Sequence, residues 1–275
     1  QEKESLIFSN TIMNKKISSI AGVTLVELLI GIVISMIMMA AMFTSYQAVN
    51  NSYSQVIDRA KISQTGRNIV GMIVKDIRLA GFRYFDDTSK SPTSYVPILI
   101  TKATGSGCDK IDIMYSDKRV KPASKPKVYI YTTYKITYEC KQSNILDKKT
   151  KNKISAFAIY KSKSKWDGTK WESPTNSTDD LVYKDEMIVD YVQGFTLIPI
   201  DDKGKIIDPT PTTLANSNKI KVIDILLSVR SQNIFYKNNK SKTIYSLGKK
   251  SNKNFNDKFL REQIVVSAHT RNMGL

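Results

Sequence analysis

Histidine and cysteine are scarce in this sequence. Its 275 residues include one histidine, His269, and two cysteines, Cys108 and Cys140. A structural zinc site needs four ligands, so these three residues cannot form one without several carboxylates. No Ser or Cys has a recognisable general base near it in sequence, and no glycine-rich segment has the spacing of a phosphate-binding loop. The sequence therefore predicts a protein that is not an enzyme, with no catalytic residue, no metal site and no cofactor.

Acidic residues are few compared with basic ones. The chain has 25 Asp and Glu against 42 Lys and Arg, which gives a net charge of +17. Such a charge attracts nucleic acid, anionic lipid or acidic proteins. The lysines are scattered, however, and Lys, Asn and Ile are abundant throughout, as an AT-rich genome would produce. We favour this compositional explanation, with nucleic acid as an alternative partner.

One long apolar run stands near the beginning of the chain. It extends from residue 23 to residue 43 and contains a single charge, Glu27. A helix of this length covers roughly 30 Å, enough to span a bilayer, and it exceeds the apolar core of about 7–15 residues in a secretory signal peptide. Because a carboxylate in a lipid-embedded helix is costly, Glu27 is expected to have a function and a positively charged partner.

A basic segment and a glycine lead into this run. Lys15 and Lys16 precede Gly22, and the chain continues as Val23-Thr24-Leu25-Val26-Glu27. This pattern resembles the type IV prepilin signal, which reads G-F-T-L-I-E, with Val23 in place of the usual Phe. The resemblance implies that a prepilin peptidase cuts between Gly22 and Val23 and methylates the new amino group of Val23. It also implies that Glu27 faces the positive N-terminus of a neighbouring subunit and sets the assembly register.

Apolar residues continue at helical spacing beyond this run. Val49, Tyr53, Val56 and Ile57 recur at intervals of three and four, which is typical of one buried helical face, and the pattern extends to about residue 80. Gly81 is expected to cap the helix C-terminus. The sequence thus predicts four parts: a leader peptide (1–22, with Met13 as the expected true start), a transmembrane or filament-core helix (23–48), its amphipathic continuation (49–81), and a β-rich head (82–275).

After Gly81 the sequence alternates short apolar stretches with turns. Strands are predicted at residues 95–101, 111–115, 128–138, 154–160, 192–200, 219–230 and 262–270. Residues 161–178 are predicted to form a hairpin or loop, and the Lys- and Asn-rich residues 231–257 are predicted to be mobile. The expected fold class is α+β, a pilin-like lollipop whose long N-terminal helix packs on an antiparallel sheet.

Two further stretches of sequence narrow the resemblance to one group of pilins. The helix ends in Asp76-Ile77-Arg78-Leu79-Ala80-Gly81-Phe82, and a strand opens with Val192-Gln193-Gly194-Phe195. These phrases resemble the minor pilins of the PilW type. The resemblance implies a structural subunit of the complex that initiates or caps a type IV pilus. Its expected partners are other minor pilins, the major pilin, the prepilin peptidase, the inner membrane and the assembly platform. A J-type pseudopilin of type II secretion, or a tip adhesin or DNA-uptake pilin, is the alternative.

The resemblance also places the protein in the cell. It implies a single-pass protein of the bacterial inner membrane with an extracytoplasmic head, which later reaches the pilus at the cell surface. Disulfides persist in that oxidising environment. Because Cys108 and Cys140 are the only cysteines, we expect them to form one disulfide with each other.

Overall fold

The computed structural model describes residues 22–84, 92, 95–103, 108–121, 126–146, 154, 156–172, 181–207, 214–246 and 252–273. The chain divides into two compact units, Gln1–Tyr53 and Ser54–Leu275. Except for Gly22, the predicted leader lies outside the described residues. Helix α1, Leu25–Leu79, contributes residues to both units.

In the first unit, the apolar run forms the beginning of α1. No proline interrupts residues 22–79, so each backbone N–H beyond the first turn can bond within the helix. The described residues of this unit are all exposed, and an 18-residue window of the helix reaches a mean hydropathy of 2.5. The helix is therefore long and apolar enough to cross a membrane.

The second unit contains one large antiparallel sheet and one small one. The large sheet has the strand order β1-β2-β3-β4-β6-β7-β10, and β5 also pairs with β4. A second, two-stranded sheet consists of β8 and β9. The strands are β1 (Ile98–Thr101), β2 (Lys110–Val120), β3 (Tyr129–Gln142), β4 (Phe157–Trp166), β5 (Trp171–Glu172), β6 (Tyr183–Ile200), β7 (Val222–Arg230), β8 (Lys240–Ile244), β9 (Lys253–Asp257) and β10 (Arg261–His269). A short helix, α2 (Leu214–Ser217), precedes β7.

Within the second unit, α1 crosses one face of the large sheet from β10 towards β2. Gly66 is buried against Ile264 of β10, and a Cβ at Gly66 would overlap the Ile264 side chain. Further along, Asp76 reaches Tyr138 of β3. At the end of the helix, the Gly81 N–H donates to the Met114 carbonyl of β2 at 2.9 Å. The predicted α+β class, a long helix packed on an antiparallel sheet, is confirmed.

The core lies between α1 and this face of the sheet. Strand residues alternate between the two faces, so every second side chain of a strand meets the helix. From α1 the core receives Ile69, Val70, Ile73 and Ile77. From the sheet it receives Ile111, Ile113, Tyr134, Ile136, Tyr138, Phe195, Leu197, Ile223, Ile225 and Leu227.

Four strands extend further than the sequence pattern predicts: β2 to Val120, β3 to Gln142, β4 to Trp166 and β6 back to Tyr183. Strand β4 continues through Lys161, Lys163 and Lys165 to Trp166, which pairs with Trp171 of β5. Of the hairpin or loop predicted at residues 161–178, the first six residues are therefore strand, and residues 173–178 lie outside the described residues. The lysines make this part of the strand look polar in sequence, but the Lys161 Nζ lies 5.3 Å from the ring centroid of Tyr138 and the Lys163 Nζ lies 4.3 Å from that of Tyr134. Strand β6 begins at Tyr183, and register shifts interrupt its pairing with β4 and its apolar alternation.

The stretch predicted to be mobile, residues 231–257, contains two paired strands in the part that the structure describes. Strands β8 and β9 form a hairpin on the face of the large sheet opposite α1, since Arg261 and Gln263 alternate with the helix-facing Ile264. Arg261 holds β9 by two bonds to Asp257, both 2.6 Å, and lies 4.1 Å from the ring centroid of Phe255. The polar composition of residues 231–257 does not indicate these few contacts, which attach the hairpin to the large sheet.

The amphipathic face of α1 also differs from its prediction. Val49, Tyr53 and Val56 are exposed, and the first fully buried helix residue is Gly66. Helical spacing indicates which residues share a face but not whether another element covers that face. Gly81 has a φ of +75°, so the predicted cap is confirmed.

Candidate functional site

The helix begins with a capping box formed by Thr24 and Glu27. The Glu27 Oε2 accepts hydrogen bonds from the Thr24 N–H and from the Thr24 hydroxyl, both at 2.9 Å. In return, the Glu27 N–H donates to the Thr24 Oγ1 at 3.2 Å. This arrangement satisfies two backbone donors that the first turn would otherwise leave without partners. The spacing Thr-x-x-Glu before an apolar run could have identified it from sequence.

One oxygen of Glu27 remains available for another partner. Both bonds from Thr24 reach Oε2, and among the described residues Oε1 accepts no hydrogen bond. Glu27 is exposed, as are its neighbours Val23 and Leu28. A buried carboxylate in an apolar environment requires a cation or several donors. The site can therefore receive a positively charged donor through Oε1 while Oε2 still caps the helix.

An open apolar face surrounds Glu27 on the helix. Val23, Gly31, Ser35 and Met39 recur at intervals of four, so they lie on the same side as Glu27. The Ser35 hydroxyl donates to the Gly31 carbonyl at 2.7 Å, so this serine needs no further partner. Such a face suits another apolar helix or lipid.

Gly22 and Val23 precede the first helical residue, Leu25. A Cβ built at Gly22 would meet no atom within 4 Å, so nothing among the residues that the structure describes requires a glycine there. Recognition by another protein would supply such a requirement. Cleavage after Gly22 and methylation of Val23 stay predictions.

The two cysteines lie next to each other as free thiols. Cys108 precedes β2, Cys140 lies in β3, and Cys108 is a neighbour that affects the Cys140 thiol. Burial raises the pKa of the Cys140 thiol, and Cys108 raises it further. The fold thus brings together the two residues expected to form a disulfide, and the disulfide itself stays a prediction.

A buried polar cluster around Asp76 was not identified from the sequence. The Asp76 Oδ2 accepts a hydrogen bond from the Tyr138 hydroxyl at 2.6 Å and an ion pair from the Lys161 Nζ at 2.8 Å. Burial, followed by the charge of Asp76, raises the pKa of Tyr138. Asp76 is buried on α1, while its partners lie on β3 and β4. The cluster fixes the rotation of α1 on the sheet.

Metal-binding groups are not clustered in the part of the chain that the structure describes. No three His, Cys, Asp or Glu residues there are close enough to hold an ion. His269 is exposed on β10. The first turn of α1 therefore remains the arrangement that points most directly to an interaction.

One solved structure has a fold similar to that of this chain. The chain is similar to a type IV-like pilin from Thermus thermophilus, with a TM-score of 0.51, over 77% of this chain and 96% of that one. The fold is pilin-like. At 11% sequence identity, the similarity is to the fold alone. No family model matches the sequence, and no curated protein matches it.

The pilin-like fold places the capping box at the start of the long helix. It combines one helix that is apolar and long enough to cross a membrane with the sheet that packs on the later part of that helix. The capping box lies at the start of that helix. An exposed apolar helix that begins with an acid is thus attached to a folded antiparallel domain.

Proposed function

We propose that this protein is a minor type IV pilin of the PilW type, a structural subunit of the complex that initiates or caps the pilus. The observation that carries the proposal is the pilin-like fold together with Glu27 in the first turn of an exposed apolar helix. Its partners would be other minor pilins, the major pilin, the assembly platform and the inner membrane. The folded head would be extracytoplasmic.

We further propose how the helix start works in assembly. Prepilin peptidase would cut after Gly22 and methylate the amino group of Val23, which remains charged. The Glu27 Oε1, which has no hydrogen bond among the described residues, would accept a bond from the Val23 amino group of an adjacent subunit. A charge-assisted bond inside an apolar surrounding is strong and directional, so it would set the register of the incoming helix.

A pseudopilin of type II secretion is the second candidate. It would have the same fold and the same helix start, and so the pilin-like fold does not separate the two. The proteins that co-purify with the chain separate them, because those of a pilus differ from those of a secretion system. A tip adhesin or DNA-uptake role would be an additional property of the head.

Two substitutions separate capping from subunit contact. Glu27→Gln removes the charge, but glutamine also forms capping boxes, so the helix start is kept. Thr24→Ala removes the cap and leaves the carboxylate. We expect the Glu27→Gln variant to insert in the membrane and to be processed. Its recovery with other pilins should fall at least about tenfold, because the lost charge-assisted hydrogen bond contributes roughly 1.4 kcal/mol or more. We expect Thr24→Ala to retain that recovery within about threefold.

Intact-mass measurement of the purified chain accompanies this comparison. A mature chain that begins at methylated Val23 supports the proposal for both variants. Equal recovery of wild type and Glu27→Gln would show that the Glu27 charge is not used in assembly. An unprocessed chain in cells that contain prepilin peptidase would contradict the pilin proposal as a whole.

A further inference from the structure

Strand β10 forms one edge of the large sheet. It pairs with β7 along one side and with no other strand that the structure describes. Just after β10 the Thr270 N–H donates to the Lys221 carbonyl, and just before it the Ser231 N–H donates to the Leu260 carbonyl. Hydrogen-bonded residues recur at every second position of an antiparallel pair, so the even-numbered residues of β10 bond to β7. The odd-numbered residues therefore direct their N–H and C=O groups away from the sheet.

These outward backbone groups are open in the part of the chain that the structure describes. The N–H and C=O of Gln263, Val265 and Ser267 make no hydrogen bond with any described residue. The Val265 side chain is 57% exposed. The strand contains no proline and no lysine, the residues that commonly prevent another chain from pairing with an edge. This edge can therefore accept a further strand.

The opposite edge of the same sheet is protected. Strand β1 has only four residues and directly follows Pro97. On its outer side, the Ser217 hydroxyl of α2 accepts a hydrogen bond from the Ile98 N–H and donates one to the Ile98 carbonyl, both at 3.1 Å. The fold thus satisfies the backbone at one edge and leaves it open at the other, which favours a partner at β10.

Two cations border the open edge on the side of α1. Arg67 directly follows Gly66, the helix residue that packs on β10. It lies about 200° round the helix from Thr65, which lines the side towards β6 and β7. Near the other end of β10, the Asn272 side chain donates to the Arg78 carbonyl at 3.0 Å. Arg67 and Arg78 are both exposed, so the border is basic.

The acids near this border are few. From residue 59 to residue 79, the only acid of α1 is the buried Asp76, and the only acid of β10 is Glu262, near its beginning. A surface of one sign attracts a partner surface of the opposite sign. The side chains that a partner strand places next to α1 are therefore expected to be acidic.

A second copy of the chain fits this edge less well. Antiparallel pairing of two β10 strands about Val265 would place both α1 helices on the same face of one continuous sheet. Because Gly66 packs at the neighbouring Ile264, each Arg67 would then face its counterpart. Like charges opposite each other are unfavourable, whereas an acidic partner strand compensates both cations.

We propose that the open edge of β10 binds an extended acidic segment of another protein, which adds to the large sheet as an antiparallel strand. The backbone of the segment would bond to the outward groups of Gln263, Val265 and Ser267. Its side chains would alternate, with acids next to Arg67 and Arg78 and apolar residues beside Val265 on the other face. This inference rests on the second compact unit alone and does not depend on the proposed function.

The test uses the full-length protein in detergent micelles and three peptides of about eight residues. The first alternates Val and Glu. In an antiparallel addition its Val residues lie opposite Val265 and direct their N–H groups towards β10, whereas its Glu residues direct theirs away. The first peptide carries N-methyl groups on its Glu nitrogens, which leaves the pairing side intact. The second carries them on its Val nitrogens, which blocks that side, and the third has N-methylated Lys in place of Glu.

Amide hydrogen exchange of single residues, followed by NMR, is the measurement. We expect the first peptide, at saturation, to slow the exchange of the Gln263, Val265 and Ser267 amides at least about tenfold. The Ile264 and Val266 amides already bond to β7 and should not change. The second peptide should cause no slowing, and the third should bind at least about tenfold more weakly than the first.

Two pairs of variants accompany the peptides. Arg67→Gln should weaken binding of the first peptide at least about threefold, whereas Lys61→Gln, on the other flank of α1, should leave it unchanged. Val265→Pro removes one outward N–H and no bond to β7, so it should weaken binding at least about tenfold. Val265→Thr keeps that N–H and should bind within about threefold of wild type. The peptide comparison carries the test even if Val265→Pro fails to fold.

Four results would overturn the proposal. These are no slowing with the first peptide, equal slowing with the second, equal binding of the third, and slow exchange of the three outward amides before any peptide is added. In the last case the edge is already covered, and sedimentation distinguishes a monomer covered by its own chain from a dimer covered by a second copy.

Discussion

At the residue scale, Gly81 and Gly71 differ in whether their position can accept a side chain. Gly81 has a φ of +75°, and a Cβ there would lie 2.6 Å from the Asn272 carbonyl oxygen. A Cβ at Gly71, within α1, would meet no atom within 4 Å. One glycine is required by the fold, and the other only weakens the helix.

This contrast predicts opposite signs for the same substitution. Gly81→Ala should lower the free energy of unfolding by about 2–4 kcal/mol, from backbone strain and the clash with Asn272. Gly71→Ala should raise it by about 0.5–1 kcal/mol through better helix propensity. Chemical denaturation followed by tryptophan fluorescence measures both. Equal effects of the two substitutions would mean that Gly81 is not confined to this conformation.

Asp76 and Asp185 allow a second comparison at the residue scale, between a buried ion pair and an exposed one. Asp76 is buried between Tyr138 and Lys161, whereas in the Asp185–Lys141 pair, at 2.6 Å, the two side chains are 39% and 40% exposed. Asp76→Asn should cost about 2–4 kcal/mol, because it leaves the Lys161 ammonium without its counter-charge.

Asp185→Asn is the control for Asp76→Asn. It should cost less than about 1 kcal/mol, since solvent screens an exposed pair and asparagine tolerates the φ of 55° at this position. The same denaturation measurement compares the two. A similar small cost for both would show that the Asp76 cluster does not hold α1 on the sheet.

At the scale of elements, the hairpin of β8 and β9 depends on Asp257. Its hydrogen bonds from Arg261 lower the pKa of the Asp257 carboxyl. A group whose pKa falls on folding stabilises the fold above its unfolded pKa, about 3.9, and this contribution is lost as the pH falls through the lower folded pKa. The hairpin should therefore stay attached at neutral pH and loosen in acid.

Amide hydrogen exchange of the two strands, Lys240–Ile244 and Lys253–Asp257, measures this attachment. We expect its protection, corrected for intrinsic exchange, to stay constant from neutral pH to about pH 5 and to fall below about pH 4. Asp257→Asn should show low protection already at neutral pH. Asp167, whose pKa is also lowered, caps the turn between β4 and β5, so Asp167→Asn should leave the hairpin protected. Unchanged protection in Asp257→Asn would assign the attachment to other contacts.

At the scale of the whole molecule, the cysteines report the compartment of the second unit. If it is extracytoplasmic, Cys108 and Cys140 should form one disulfide, since the fold makes the two residues neighbours. Closing a loop of about 30 residues should stabilise the fold by roughly 4 kcal/mol in the chain-entropy model. Alkylation under denaturing conditions, before and after reduction, measures the thiols.

Two controls accompany the alkylation. The double variant Cys108→Ser, Cys140→Ser should match the reduced wild-type protein in stability. Recovery of two free thiols in protein isolated from the cell envelope would contradict an extracytoplasmic location of the second unit.

The sequence by itself determined what depends on neighbours along the chain. The long apolar run, the acid at its start and the glycine at the helix end follow from periodicity and backbone preference over a few residues. Most strands and the antiparallel class followed from the same local patterns. The capping box of Thr24 and Glu27 is equally local, and the spacing of these two residues in the sequence is sufficient to predict it.

Only the tertiary structure decided which distant side chains meet. Asp76 pairs with Lys161, and Arg230 lies opposite Arg261, because strand order and register bring them together. The bulge at Tyr191 exists only relative to the partner strand β4. Burial depends on what covers a face, which is why Val56 is exposed while Ile73 is buried at the same helical spacing. Contacts between remote segments leave no periodic trace in a single sequence.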